Sequence, residues 1–345
     1  MIEQLAYAWP SLNASALWRC QPEDFQVDEV LGFTADGQGE HVLLQIRKRD
    51  ANTEWVARKL ARFAGVPPRD VSYAGLKDRF AITTQWFSVR LAGKDNPDWD
   101  AFADDEASVL QWQRHQRKLK RGSLKANHFT LVLRELLGDR LELEQRLQLI
   151  AEQGVPNFFT EQRFGRDGQN IDMARQMLID HKRIKDRHKR GLYLSAARSM
   201  LFNHILSRRV AAGSWNKILP GEDVILSGSR SHFIAEQVDA TLEQRLLEWD
   251  IHPSGPLYGK NNKEIQTPVV EMEKQYLSDY KEWCEGLLKA DLKMERRSLR
   301  SRVTNLKWTF LEHDSLLLEF TLDKGSYANA VIRELLTATN AKTQS

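Results

Sequence analysis

The sequence predicts an α+β fold interrupted by a mainly helical segment. Three observations predict it. Strand patterns crowd the first 150 residues, with few helices between them. Helical periodicity takes over from Val155 to about Arg300. Strand patterning then returns for a short C-terminal piece. That piece is close to the lower limit for independent folding, about 40 residues, so its strands are expected to complete the sheet begun at the N-terminus. The expected division is therefore 1–153 with 304–345 as one discontinuous domain, and 154–303 as an insertion.

Each element has its own signal. "VDEVLGF" and "HVLLQIRK" read as strands, with Asp36, Gly37 and Gly39 in the turn between them. "NTEWVARKLARFAG" reads as a helix: Asn52 or Thr53 caps it, Val56, Leu60 and Phe63 share a face, and Gly65 ends it. Pro67 and Pro68 lack amide hydrogens and cannot continue it. "QWFSVRL" and "FTLVLREL" are strands, and "RLELEQRLQLIAEQG" is a helix ending at Gly154. In the middle, "NIDMARQMLIDH", "SAARSMLFNHILSRRVAAG", "TLEQRLLEWD" and "VVEMEKQYLSDYKEWCEGLL" are helical, and only "EDVILSG" has a strand signal. "VTNLKWTFLEHDSLLLEFTL" brings the strands back, and "SYANAVIRELLTA" is a last helix.

Composition bounds the function. The chain has 345 residues, 28% charged and 41% hydrophobic, as expected of a folded globular protein. No apolar run approaches the ~18 residues of a spanning helix, and no secretory signal is evident. Cys20 and Cys284 form no framework, which fits a reducing cytoplasm. No Cys/His cluster has metal-ligand spacing, so no metal is expected.

The net charge is only +3, but the charges are segregated. Residues 92–106 are acidic. Residues 114–125 carry six Lys/Arg: Arg114, Arg117, Lys118, Lys120, Arg121 and Lys125. Residues 181–190 carry six more, Lys182, Arg183 and Lys185 among them. Such clusters are either solvated faces or contacts for a polyanion. Two of them with aromatic neighbours favour RNA.

The stretch "AGLKDRFAITTQW", 74–86, concentrates the chemistry. Asp78 lies between Lys77 and Arg79, and flanking cations keep a carboxylate ionised. By spacing alone it is either a turn charge or a base or nucleophile. Gly75, Lys77, Asp78, Ala81, Thr83 and Gln85 resemble the signature of the TruD family of tRNA pseudouridine synthases. "PEDFQVDEVLGF", "LKANHFTLVLREL", "GVPNFFTEQRFGRDGQN", "LSAARSMLFNHIL" and "GSYANAVIRELL" resemble further blocks of that family, in its order, nearly end to end.

The resemblance implies a circularly permuted pseudouridine-synthase fold with a mixed, largely antiparallel sheet, and an inserted TRUD domain. It implies a tRNA uridine-13 isomerase that works without cofactor or metal. tRNA is the one partner, and a cytoplasmic monomer is expected. By the same resemblance Asp78 is the catalytic nucleophile or base. Arg19 is its basic partner, with arginine where some members have lysine, and its fork is suited to a two-bond clasp. Phe25, Asn127, Phe129 and Tyr327 would meet the uracil, Phe129 by stacking. Tyr327 stands where many members have phenylalanine. Lys77 and the basic residues named above are the candidate RNA contacts. Attack at C1′ and removal of the C2′ proton both remain open as routes. On the residues alone, Phe25 and Phe129 border strand patterns and read as core aromatics before base contacts. Phe158, Phe159 and Phe164 are expected in the core or at a domain interface. Arg163, Arg166 and Gln169 either line RNA or cap the helix that follows. The rival reading is an inactive RNA-binding or chaperone protein on the same fold. A methyltransferase lacks its glycine-rich loop.

Overall fold

A ten-stranded sheet forms the frame of the site in the computed structural model, which describes residues 5–229, 231–261 and 265–341. In chain order the first elements are β1 (Ser15–Trp18), β2 (Phe25–Leu31), β3 (His41–Arg49), α1 (Thr53–Phe63), β4 (Val71–Tyr73), β5 (Ile82–Arg90), β6 (Ala107–His115), β7 (Leu124–Leu137) and α2 (Arg140–Gln153). The middle supplies β8 (Val155–Pro156), α3 (Glu161–Phe164), α4 (Gln169–Leu178), α5 (Arg187–Ala211), β9 (Glu222–Leu226), β10 (His232–Ala235), α6 (Ala240–Leu247), β11 (Ile251–Leu257), α7 (Pro268–Tyr276), α8 (Lys281–Lys289), β12 (Glu295–Ser298) and β13 (Arg300–Ser301). The chain ends with β14 (Thr304–Leu311), β15 (Ser315–Asp323), α9 (Ala328–Leu335) and β16 (Thr337–Asn340).

The chain resolves into two compact units. One comprises Leu12–Gln145, Val303–Gly325 and the C-terminal segment from Leu336. Its sheet runs β14-β15-β7-β2-β5-β3-β6, with β1 beside β7 and β16, and β4 beside β5. Pairing is antiparallel except for β2 with β5 and β1 with β16. This is the mixed, largely antiparallel sheet the sequence implied, and the C-terminal strands do complete it. α1 packs its apolar stripe, Val56, Leu60 and Ala61, on Val42, Leu44, Ile46, Phe87 and Val89. Asn52 precedes this helix but makes no side-chain cap, and Thr53 is its first residue.

Four strands escaped the sequence reading here: the short β1 and β4, and β6 and β16. β6 is an outer strand with Leu110 and Trp112 exposed, so its alternation is blurred. β16 is the polar run "TATN", held because it aligns residue by residue with β1.

The other unit comprises the N-terminal segment ending at Ser11, Arg146–Arg302 and Ser326–Leu335. Its middle stretch nearly coincides with the expected 154–303. Residues up to 11 and the helix α9 also belong to it: the Ala8 N–H donates to Glu334 Oε2, and Arg146 donates to the carbonyls of Glu334 and Pro10. Its core gathers Phe158, Phe159, Phe164, Leu201, Phe202, Ile205 and Leu287, so of the two places expected for the three phenylalanines, core or domain interface, the core is where they lie. Helices dominate, joined by an antiparallel sheet of order β10-β9-β11-β12. The sequence hid that sheet because its central strand β11 reads "IHPSGPL". Proline donates no ladder hydrogen bond, which argues against a central strand. The long helix expected over 269–288 is broken into α7 and α8 around Ser278–Tyr280.

Candidate active site

Strand register assembles the site. Side chains directly opposite one another on neighbouring strands share a face. Lys48 of β3 lies opposite Thr83 of β5, Val27 of β2 opposite both Thr83 and Phe129 of β7, and Phe129 opposite Phe320 of β15. One row across five strands therefore reads Lys48, Thr83, Val27, Phe129, Phe320, and all five are buried. The next row brings Ile46 opposite Gln85, and Asn127 opposite both Glu29 and Leu322.

The segment between β4 and β5 crosses this face and carries Asp78. It is tied down along its length. Gln85 Nε2 donates to the Gly75 carbonyl at 2.6 Å. The Lys77 N–H donates to Thr53 Oγ1 at 3.1 Å, and Thr53 Oγ1 donates to Gln85 Oε1 at 3.0 Å. Thr53 thus serves this loop instead of capping its own helix. Lys48 Nζ donates to the carbonyl of Asp78 at 2.9 Å and to that of Ala51 at 2.7 Å. Gln85 thus supports the turn. Thr83 is buried at the start of β5, and its hydroxyl has no hydrogen-bond partner among the described residues.

Arg19 reaches Asp78 from the end of β1. Its Nη2 lies 3.2 Å from Asp78 Oδ2. Nε is buried without a partner among the described residues, so the contact runs through one nitrogen and not through the two-pronged clasp the fork permits. The backbone of Arg19 is left-handed, with φ of 58°, a conformation that non-glycine residues adopt rarely and at a cost. It turns the guanidinium onto the Phe25 ring, 3.7 Å from the centroid, beside Trp18 at 4.9 Å. The Arg19 side chain is 10% exposed and that of Asp78 31% exposed, so the carboxylate is the more open member.

Beneath Arg19 the aromatics continue. Phe25 meets Phe129 edge to face at 6.2 Å, and Phe129 stacks on Phe320 at 5.4 Å. Phe25 and Phe129 are both buried. In this structure they form the floor that holds Arg19, and Phe129 offers no open face for a base. Asn127 is half-buried, and its Oδ1 is buried with no partner among the described residues. Buried acceptors are rarely left so, and this one is placed to receive an N–H donor.

Two charged residues of the site passed unnoticed in the sequence. Glu29 is fully buried. Its Oε1 accepts from Lys77 Nζ at 2.7 Å and its Oε2 from the Trp86 N–H at 2.9 Å. Lys77 is therefore turned inward, its side chain 8% exposed, which removes it from the phosphate contacts expected of it. Lys48 is the second, 1% exposed. Burial pulls its ammonium down to about 8, with Lys77 adding to the fall and Asp78 and Asp50 opposing it. Both were detectable in principle. Phe25-Val27-Glu29 and Val42-Leu44-Ile46-Lys48 each set a charge at the inward phase of an alternating strand.

The basic candidates divide. Arg117, Lys118, Lys120, Arg121 and Lys125 are exposed. With Arg58, Tyr73 and Glu54, three of them (Lys118, Lys120 and Arg121) line a hollow of about 550 Å³. Arg121 lies over Tyr73 at 3.9 Å. Arg114 is half-buried and donates to the carbonyls of Gly39 and Lys94. In the other unit Lys182, Arg183 and Lys185 are exposed ahead of α5, whose N-terminus Asp186 caps through the amides of His188 and Lys189. Tyr327 also belongs to that unit. Its hydroxyl accepts from Arg163 Nη2 at 2.9 Å, and Arg163 Nη1 donates to Ser195. Arg166 is exposed, and neither it nor Gln169 makes a side-chain cap on α4. Among the described residues no His/Cys/Asp/Glu group has the geometry to hold a metal ion, and no helix is long and apolar enough to cross a membrane.

The sheet order, its register and the tethered aspartate define an α+β protein of the pseudouridine-synthase class. A solved structure from Methanosarcina mazei, described as a putative tRNA pseudouridine synthase D, has the same fold. It superposes with a TM-score of 0.70 over 96% of this chain and 95% of its own, at 22% identity. The family model for tRNA pseudouridine synthase D (TruD) matches residues 2–185 and 182–335, and the chain belongs to that family. Proteins named tRNA pseudouridine synthase D from Nitrosococcus oceani and Methylococcus capsulatus are 50% and 48% identical to it. The alignments cover 96% and 92% of this chain, and 93% and 90% of theirs.

Proposed function

We propose that this chain isomerises uridine to pseudouridine in tRNA, at uridine 13, with Asp78 as the reacting carboxylate. Membership of the family supports the reaction and the substrate. The observation that carries the residue is the Arg19–Asp78 pair: an accessible carboxylate held by a buried cation, on a loop tethered to three neighbouring segments. The N1–C1′ bond breaks, the uracil turns, and C5 joins C1′. The proton leaving C5 is balanced by one gained at N1, so nothing is oxidised or hydrolysed. Attack by Asp78 on C1′ and removal of the C2′ proton both need a carboxylate oxygen held in place, which the Arg19 contact provides. The buried Oδ1 of Asn127, without a partner among the described residues, suits the N–H edge of a uracil. Exposed cations at 117–125 and 182–185 suit the phosphates of a folded tRNA. We place the enzyme in the cytoplasm as a monomer. The unpaired Cys20 and Cys284 fit the reducing compartment.

Unmodified tRNA incubated with the protein, then mapped by pseudouridine-specific labelling and primer extension, should show one new stop at position 13. Asp78→Asn keeps shape and loses the anion, so it should bind tRNA normally and give no stop. Full activity in that variant would remove Asp78 from the chemistry.

A further inference from the structure

We propose that Lys48 is a positioning residue for the isomerisation: its ammonium group pins the main-chain carbonyl of Asp78 and so aims the reacting carboxylate. The inference rests on Asp78 being that carboxylate.

The geometry is specific. Lys48 is the last inward-facing residue of β3 and almost fully enclosed. Its Nζ bridges two carbonyls, that of Ala51 just after its own strand and that of Asp78 thirty residues on. The first belongs to the turn that leads into α1, the second to the segment between β4 and β5. A single side chain therefore joins the rigid sheet to the residue that reacts. The other ties on this segment act before Asp78, at Gly75 and Lys77, or after it, where the Asp50 N–H donates to the Ala81 carbonyl. Lys48 holds the Asp78 peptide itself. A lysine is a costly choice for an enclosed site on an apolar strand face, because its charge must be desolvated. A hydrophobic residue would fill the space. What the lysine adds is a charge-assisted donor, about twice as strong as a neutral one. The charged groups nearest it are Asp78 and Lys77 on the loop and Asp50 beyond β3.

Positional slack of about 1 Å in a reacting group costs on the order of 10²-fold in rate. Lys48→Met should therefore lower the single-turnover rate constant at saturating enzyme by about 10- to 100-fold. The Kd for tRNA should stay within about twofold and the melting temperature within a few degrees. A rate within about twofold of wild type overturns the proposal. So does a rate that falls only in step with tRNA affinity, which would make Lys48 a merely structural residue. If Lys48→Met does not fold, Lys48→Gln is read in the same assay: it keeps an uncharged donor on a shorter stem and should lose about 10-fold or more in rate with tRNA affinity unchanged. A rate within about twofold of wild type in that variant overturns the proposal. Asp78→Asn in the same assay separates the two ideas. A fast Lys48→Met beside a dead Asp78→Asn refutes Lys48 alone, whereas an active Asp78→Asn refutes the assignment on which both rest.

Discussion

Replacing Glu29 with glutamine isolates the buried charge pair under the loop that carries Asp78. Glu29 is fully enclosed, and its partner Lys77 is 8% exposed on the side chain. Glutamine keeps the length and still offers Oε1 to the Trp86 N–H. It loses the charge and turns an amide donor towards an ammonium. Breaking one side of a buried pair strands the other charge, at about 3–5 kcal/mol. For a unit of this size each kcal/mol moves the transition by about 2–4 °C, so the melting temperature should fall by on the order of 10 °C. Glu29→Gln/Lys77→Met removes both charges and should recover most of that loss, because no ion is then left in the interior. Thermal unfolding followed by circular dichroism and tryptophan fluorescence measures all three proteins. A single-variant loss below about 1 kcal/mol, or a double variant as unstable as the single one, would refute the claim that Glu29 and Lys77 depend on each other inside the protein.

Three other outcomes follow from the same geometry. Arg19→Ala removes the cation from the Asp78 carboxylate and uncovers Phe25, so the rate should fall by about 10²-fold; Arg19→Lys should restore part of it, read in the same single-turnover assay. Alanine at Lys182, Arg183 and Lys185 should weaken tRNA binding and reduce the slope of log affinity against log salt by about 2–3, and an unchanged slope returns these residues to a solvated surface. The pH dependence of stability should carry Lys48. Its folded pKa is depressed from 10.5 to about 8, so the penalty is complete below 8 and disappears as pH rises towards 10.5. Wild type should therefore gain up to about 3 kcal/mol relative to Lys48→Met across that window, measured by denaturant unfolding at each pH.

The parts of this protein legible in the sequence are those with short-range causes. Strands alternate, so β2, β3, β5, β7 and β15 announced themselves. α1 has an apolar stripe and a glycine stop. Asp78 stood out because a charged turn precedes a strand, and the ordered blocks around it turned that oddity into a family. Where local signal and final structure diverged, neighbours overrode propensity. β11 is a central strand despite two prolines because strands on both sides hold it, and β16 is a strand because β1 lies beside it.

The sequence alone determined the fold class and the family, and it singled out Asp78 as the candidate for the chemistry, because periodicity and short motifs are written along the chain. Tertiary structure decided the company that aspartate keeps. Arg19, the Lys48–Thr53 stretch and the Asp78–Gln85 segment lie far apart in sequence and meet only because strand register and the packing of α1 bring them to one face. It also decided which charges face solvent. Lys77 and Lys118 look alike as letters, yet one is spent inward on Glu29 and the other remains outside. Burial is a property of what packs against a residue, and no stretch of sequence around Lys77 contains the strand that supplies Glu29.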